Sequence, residues 1–288
     1  MIPNTDIEVW KSWIGRTESS IDTVAAGPVA RLAAVLNREH GELSVGSKVP
    51  PLSHWLFFLP SVPQREIGRD GHPQKGGFLP PVTLPRRMWA GSRVTFHRPL
   101  CIGQQVARVS TIMDVEGKQG RSGPLVFVQV QHVVSDETGP FVTEIQDIVY
   151  RAAETGGPEA KATPSKLESA PRKADWWHRI EPDGVLLFRF SALTFNGHRI
   201  HYDRLYAQNE EGYPGLVVHG PLQAMLLMES FMREHPSSSV RSYAFTSRRP
   251  LSDAPFDVCG ARGSDGEVKL WIEDQTGQTV MEAVLDAD

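Results

Sequence analysis

Apolar and polar positions along this chain follow two rhythms. Where every second residue is apolar, as in Leu125–Ser135 (LVFVQVQHVVS) and Glu267–Glu273 (EVKLWIE), an extended chain turns one face to a core and the other to solvent, which predicts antiparallel strands. Val185–Ser191 (VLLFRFS) alternates in the same way and is assigned as a strand. Two segments place apolar residues three and four apart and predict helices. The first is Ile21–Asn37 (IDTVAAGPVARLAAVLN), with Gly27-Pro28 starting or kinking it; the second is Pro221–Glu234 (PLQAMLLMESFMRE), with Pro at a helix-start position. Between them, Phe195–Gly197 reads as a turn into a short helix, and Pro214–His219 (PGLVVH) as a short apolar run leading straight into the second long helix.

The pattern repeats. Asp136–Glu144 (DETGPFVTE) and Asp274–Glu282 (DQTGQTVME) each follow a strand, carry D-x-T-G where a tight turn reverses the chain, and resume the alternation. Upstream, Val94–Val106 (VTFHRPLCIGQQV) and Tyr243–Val258 (YAFTSRRPLSDAPFDV) each join two strands through an Arg-Pro-Leu step. Two matches in one order indicate duplication. Residues 152–173 (AAETGGPEAKATPSKLESAPRK), rich in Ala, Pro, Glu and Lys and without periodicity, read as a linker between a first unit at 1–151 and a second at 174–288. A long helix followed by an antiparallel meander in each half gives an α+β fold, a helix wrapped by a curled sheet, made twice.

Composition narrows the function. The 288 residues are 40% hydrophobic, enough for one large or two ordinary domains, and 30 Lys+Arg against 34 Asp+Glu leave a net charge of -4. A nucleic-acid partner, which selects for a basic face, is not expected. No stretch is apolar over the roughly eighteen residues of a membrane span, and the N-terminus MIPNTDIEVW lacks the blocks of a secretory signal, so a cytoplasmic protein with no membrane partner is expected. The two cysteines, Cys101 and Cys259, are too far apart for CxxC chemistry.

The candidate chemistry lies in Ala192–Ala207 (ALTFNGHRIHYDRLYA). His198 and His201 share a helix face, as metal ligands do, but no Cys or HExxH neighbour completes a site. A serine hydrolase would need a nucleophile elbow, and no GxSxG is present. A general acid/base site asks only for one tuned group and a polar orienting neighbour, which His201 with Asn196 and Asp203 provides.

This segment resembles the signature of the MaoC-like, R-specific enoyl-CoA hydratase family of hotdog proteins. There a loop carries Asp-x-Asn-Pro-(Leu/Ile)-His, a short helix follows, and an apolar-x-x-His-Gly step leads into the central helix. Asn196-Gly-His-Arg-Ile-His201, Tyr202-Asp203, Ala207 and Leu216-Val-Val-His219-Gly220 fill those places. The resemblance covers essentially the whole chain and implies a double hotdog. It departs at two points: the family's catalytic Asp is Asn196 here, and its Asn-Pro is His198-Arg199. The variant wording is similar to that of two-hotdog hydratases acting on short branched dicarboxylyl-CoA thioesters, and much of it is shared with mitochondrial hydroxyacyl-thioester dehydratases.

The resemblance implies reversible hydration of an acyl-CoA, itaconyl-CoA or mesaconyl-C4-CoA to citramalyl-CoA, with no metal or other cofactor. The base is His201, oriented by or sharing water with Asn196; the N–H of Gly220, at a helix start, holds the enolate oxygen. Asp203 is a second acid/base candidate or a cap. Arg199 and His198 are the candidates for reading the substrate's extra carboxylate, and His219 for shaping the binding turn. In the Gly- and Pro-rich segment 60–91, which resembles the substrate-enclosing loop of double hotdogs, Arg65, Arg69, Lys75, Arg86 and Arg87 are candidates for CoA phosphates, and Trp89 and Phe78 for the acyl end. Two alternatives stay open: a dehydratase of longer 3-hydroxyacyl thioesters on CoA or acyl carrier protein, and a non-catalytic acyl-CoA-binding hotdog. A homodimer is compatible with either.

Overall fold

Ten antiparallel strands form one sheet in the computed structural model, which describes residues 4–120, 123–152, 173–263 and 266–288. In the first half, α1 (Asn4–Lys11), β1 (Thr17–Thr23) and α2 (Ala26–Val35) precede β2 (Arg86–Phe96), β3 (Gln105–Gly120), β4 (Gly123–Asp136) and β5 (Gly139–Arg151). In the second, β6 (Trp176–Ile180), α3 (Gly184–Leu193), α4 (Arg204–Asn209) and α5 (Gly220–Glu234) precede β7 (Val240–Ser247), β8 (Phe256–Arg262), β9 (Val268–Asp274) and β10 (Thr279–Ala287). The strand order β1-β3-β4-β5-β2-β7-β10-β9-β8-β6 reads the same from either end once the halves are superposed in sequence order. Each half keeps its first strand at an outer edge and its second at the seam, where β2 and β7 pair from Gly91↔Thr246 to Thr95↔Ser242. Gly91 permits that approach: a Cβ there would lie 2.4 Å from the Phe245 carbonyl oxygen.

The repeated motifs are one device used twice. Asp136 Oδ1 accepts hydrogen bonds from the backbone N–H and hydroxyl of Thr138, and Asp274 Oδ1 from those of Thr276, closing the β4–β5 and β9–β10 turns. The arginine of each Arg-Pro-Leu step, Arg98 or Arg249, reaches across to the aspartate of the same turn.

Two expectations need correction. Val185–Ser191 is helical, part of α3, because Asp183 caps it by accepting from the Leu186 N–H at 2.7 Å, and Leu187, Phe190 and Ser191 fall on one buried face. The apparent alternation was a coincidence of a short run, and the edge strand is β6 instead. Pro214–His219 leads straight into α5, with one isolated bridge, Val217↔Ser252. Ile21 to Thr23 belong to β1 rather than to the first-half helix, which is the ten-residue α2. The expected linker lies, from 153 to 172, outside the described residues.

The halves differ in what they wrap. α5 buries ten of its fifteen residues against β8, β9 and β10, among them Leu222, Leu227 and Phe231, each such side chain contributing about 1.5–3 kcal/mol. At the corresponding place before β2 the first half carries only two short 3-10 turns, Ser53–Leu56 and Gln64–Glu66. Pro50, Pro51, Pro60 and Pro63 remove the backbone donors that a long helix there would need. The space left is a cavity. Among the described residues no helix is long and apolar enough to cross a membrane.

Candidate active site

The cavity has a volume of about 1040 Å³ and lies between the halves, walled by the 54–73 segment, the start of β2, the Asn196–Tyr202 turn and the start of α5. The bulge in β2 between Trp89 and Gly91 sits beside it, a common place for a strand to re-aim side chains.

His201 is carried into the wall by a 3-10 turn (Arg199–His201) and is buried. Its Nδ1 lies 2.7 Å from the Val217 carbonyl oxygen. A carbonyl only accepts, so Nδ1 carries the hydrogen and Nε2 keeps a lone pair. Burial pushes the imidazole pKa down to about 4, against the Val217 hydrogen bond and helped by the field of His72. The ring is therefore neutral and basic at Nε2 before any substrate arrives. Beneath it His219 stacks at 3.6 Å, fully buried, with its Nε2 at 2.8 Å from Ser191 Oγ. His219 supports His201 from behind and is not in the cavity wall, so the expected substrate contact is corrected.

Phe195, with φ 50°, turns the chain out of α3, and Asn196 Oδ1 then accepts the His198 N–H at 3.0 Å. Asn196 is in the wall, but its oxygen is committed to the turn. Asp203 is not in the wall. It caps α4 by accepting the Tyr206 N–H at 3.0 Å and pairs with Arg199 at 2.7 Å, bonds that hold its carboxyl below the usual range. Its candidacy as a second acid/base group is overturned in favour of the cap. Arg199 is spent on Asp203, on the Arg69 carbonyl and on the Tyr206 ring, so it is a poor reader of a substrate carboxylate. His198 lines the cavity with its ring 5.5 Å from His201 and 4.1 Å from His72.

Gly220 opens α5 in the cavity wall, and the His219 side chain before it makes no capping hydrogen bond; the first N–H groups of a helix have no partner within it. Trp89 lines the cavity, its indole N–H shared between the Gly91 carbonyl and Ser92 Oγ. Of the basic candidates, Arg65 and Lys75 are outside the wall; Lys75 donates to the Val82 and Leu84 carbonyls. Arg69 pairs with Glu210 at 3.5 Å and Arg86 with Glu211 at 3.1 Å. Arg87 is in the wall with no carboxylate partner among the described residues, and its charge reaches His72, His198 and Lys75. Phe78 packs on the second core cluster instead of the cavity.

Two groups escaped sequence reasoning. At the far end of the cavity Glu144 is buried and accepts from Trp55 at 2.9 Å and Ser92 at 2.7 Å, with His54 Nε2 at 3.1 Å. Burial alone would raise its pKa, yet these partners hold it at about 2. Beside His198, Asp70 and His72 form a hydrogen-bonded pair at 3.1 Å. A signal existed: an acid and an imidazole two residues apart across a glycine, within the loop already assigned to enclosing substrate. Asp70, His72 and His198 offer donor atoms within 4.8 Å of one another.

Fold and cavity define the class, a double hotdog of the MaoC-like kind. The MaoC-like dehydratase from Phytophthora capsici superposes with a TM-score of 0.71 at 12% identity over 97% of each chain. HtdX of Mycobacterium tuberculosis does so with 0.65 at 18% identity over 94% of this chain and 99% of its own. The chain belongs to the hydroxyacyl-thioester dehydratase type 2 family, whose model matches residues 52–253. It is 47% identical to the mesaconyl-C(4)-CoA hydratase of Chloroflexus aurantiacus over 96% of this chain and 97% of that one. The mitochondrial hydroxyacyl-thioester dehydratase type 2 of Schizosaccharomyces pombe is 27% identical over 88% and 91%. The protein is accordingly a hydro-lyase, of hydratase or dehydratase type, and neither the long-chain nor the non-catalytic alternative is favoured.

Proposed function

We propose that the enzyme hydrates a short dicarboxylyl-CoA, with mesaconyl-C4-CoA as substrate and citramalyl-CoA as product. The observation that carries this reading is Arg87, the cavity arginine whose charge bears on His72 and His198 and meets no carboxylate among the described residues. In mesaconyl-C4-CoA the free carboxylate sits on the carbon that receives the hydroxyl, so its reader has to stand beside the group that handles water. Itaconyl-CoA, whose double bond is not conjugated to the thioester, would need a double-bond shift first and fits less directly. The 47% identity to a mesaconyl-C(4)-CoA hydratase supports the same choice.

In this reading His201 Nε2 accepts a hydrogen bond from the attacking water and raises its nucleophilicity. The N–H at Gly220, with the positive end of α5 behind it, receives the negative charge that develops on the thioester oxygen. The chemistry asks for no metal or cofactor. A spectrophotometric screen over crotonyl-, mesaconyl-C4-, itaconyl- and long-chain enoyl-CoA tests it. The highest kcat/KM is expected for mesaconyl-C4-CoA, and His201→Gln should abolish turnover while leaving the circular dichroism unchanged. A preference for chains longer than six carbons, or retained turnover in the variant, refutes the assignment.

A further inference from the structure

Where the family signature has a carboxylate, this chain has Asn196, and an amide takes up no proton. Hydration nevertheless needs a group to hold the proton that water loses until the α-carbon receives it. His201 is poorly placed for that, because its polar partner among the described residues is a neutral carbonyl and its ring neighbours are two more imidazoles, His198 and His219. Among the described residues, the carboxylate hydrogen-bonded to this row of rings is Asp70. Its Oδ2 lies 3.1 Å from His72 Nδ1, and its Oδ1 accepts the His72 backbone N–H at 3.1 Å. Glu211 bears on His72 only through its field and is paired with Arg86.

The loop that carries Asp70 and His72 comes from the first half and is bolted to the signature segment of the second. The Asp70 carbonyl accepts the Arg199 N–H at 2.9 Å, and the Arg69 carbonyl accepts from Arg199 Nη1 at 3.3 Å. Gly71, at φ +92°, lies so close that a Cβ would stand 1.8 Å from the Gly197 carbonyl oxygen. The loop is thus seated in register against 196–201, with His72 and His198 in ring contact inside the cavity wall. A divalent cation on Asp70, His72 and His198 suits the site less well: the Asp70–His72 hydrogen bond already closes one donor pair, and the positive charge of Arg87 bears on both rings.

We propose that Asp70 and His72 replace the carboxylate absent at position 196, His72 as a catalytic base and Asp70 as its positioning residue, so that the active site is completed across the seam. This rests on the hydratase reading above. The water oxygen bonds to the β-carbon, its proton passes to the free nitrogen of His72, and the C=C electron pair moves onto the thioester oxygen at Gly220. Asp70 stabilises the imidazolium as it forms. The imidazolium then returns a proton to the α-carbon as the carbonyl is restored, so one water has been added and every group is reset. His201 stays neutral and holds the water's second hydrogen.

The test uses the full chain with mesaconyl-C4-CoA and the variants His72→Ala, His72→Gln, Asp70→Asn and His72→Ala/Asn196→Asp. Loss of an acid/base group typically lowers turnover by about 100-fold or more, and that loss is expected in kcat for both His72 variants with KM within about threefold. Asp70→Asn should fall between these and the parent. A carboxylate at 196 would keep the hydrogen bond to the His198 N–H, so Asn196→Asp should raise kcat of the His72→Ala chain by about tenfold, which a merely structural histidine would not show. Either His72 variant keeping kcat within about threefold, or a double variant no faster than His72→Ala, overturns the proposal. So does activity that disappears with a chelator and returns with zinc. If the parent chain hydrates no enoyl-CoA at all, it is the hydratase reading that fails.

Discussion

Several arginines line this cavity, and their partners separate one that can recognise a ligand, Arg87, from two that hold the wall. Arg86 and Arg199 are each tied to a carboxylate of the same chain, and withdrawing either would leave that carboxylate unpaired. Arg87 has no carboxylate partner among the described residues, its side chain bearing instead on the buried Tyr150, so Arg87→Met is expected to keep the fold. With mesaconyl-C4-CoA its kcat/KM should fall by about 100-fold, the scale of a lost charge-assisted pair of roughly 2–3 kcal/mol. Crotonyl-CoA, which lacks the second carboxylate, should be hydrated no more slowly, and equal losses on both thioesters would mean that Arg87 reads something else. Glu144 is the structural counterpart. Glu144→Ala strands His54, Trp55 and Ser92 and, through Ser92, loosens Trp89; a loss of about 3–5 kcal/mol in denaturant unfolding is expected for a buried, fully bonded charge. How far such roles were readable differs residue by residue. The places of His201, Asn196 and Gly220 in the cavity wall were legible because the signature is local. The commitment of Asp203 to Arg199 is an i,i+4 spacing that also lay in the sequence, whereas nothing local brings Asp70 to His198.

At the level of elements, the same limit explains the misassigned strand. Val185–Ser191 alternates over too few residues to distinguish a period of 2 from one of 3.6, and the decisive feature was the capping Asp183 just upstream. The D-x-T-G turns, by contrast, were fully legible, since Asp and Thr close them with their own side chains. The docked 68–73 loop is an element that only the tertiary structure reveals, and Gly71 is its tightest point. Gly71→Ala would combine a left-handed backbone with a clash against Gly197, a strain of about 1–3 kcal/mol. The expected result is a loop that lifts from the signature segment: kcat falls, proteolysis within 60–85 quickens, and the unfolding midpoint of the core shifts little. A variant with parental kcat would show that the contact is dispensable.

For the whole molecule, a row of buried and half-buried imidazoles bears on the pH range of stability. His72, His198, His201 and His219 all have pKa values below the ordinary 6.5, burial being the largest cause in each. The unfolded chain therefore binds protons that the native one refuses. The contribution is fully present above pH 6.5 and is lost as the pH falls toward 4, the value for His201. Each tenfold weakening of a ring's proton affinity on folding corresponds to roughly 1.4 kcal/mol. Below that pH, Glu144, at about 2 in the native state, continues the decline. Urea midpoints measured from pH 8 to 4 should drop steadily below 6.5; a flat profile would mean that these rings are solvated.

That no long helix precedes β2 has a last consequence. Protein interiors are packed as densely as organic crystals, yet the two halves leave a cavity of about 1040 Å³ between them. On the proposed reading the acyl thioester would occupy the space that a helix before β2 would otherwise take. Binding and folding are then linked: a non-reactive acyl-CoA at a hundred times its Kd should add about 2.7 kcal/mol. Amide exchange should slow most at Val49–Glu66 and along β2, where the guest completes the packing that proline denied the chain.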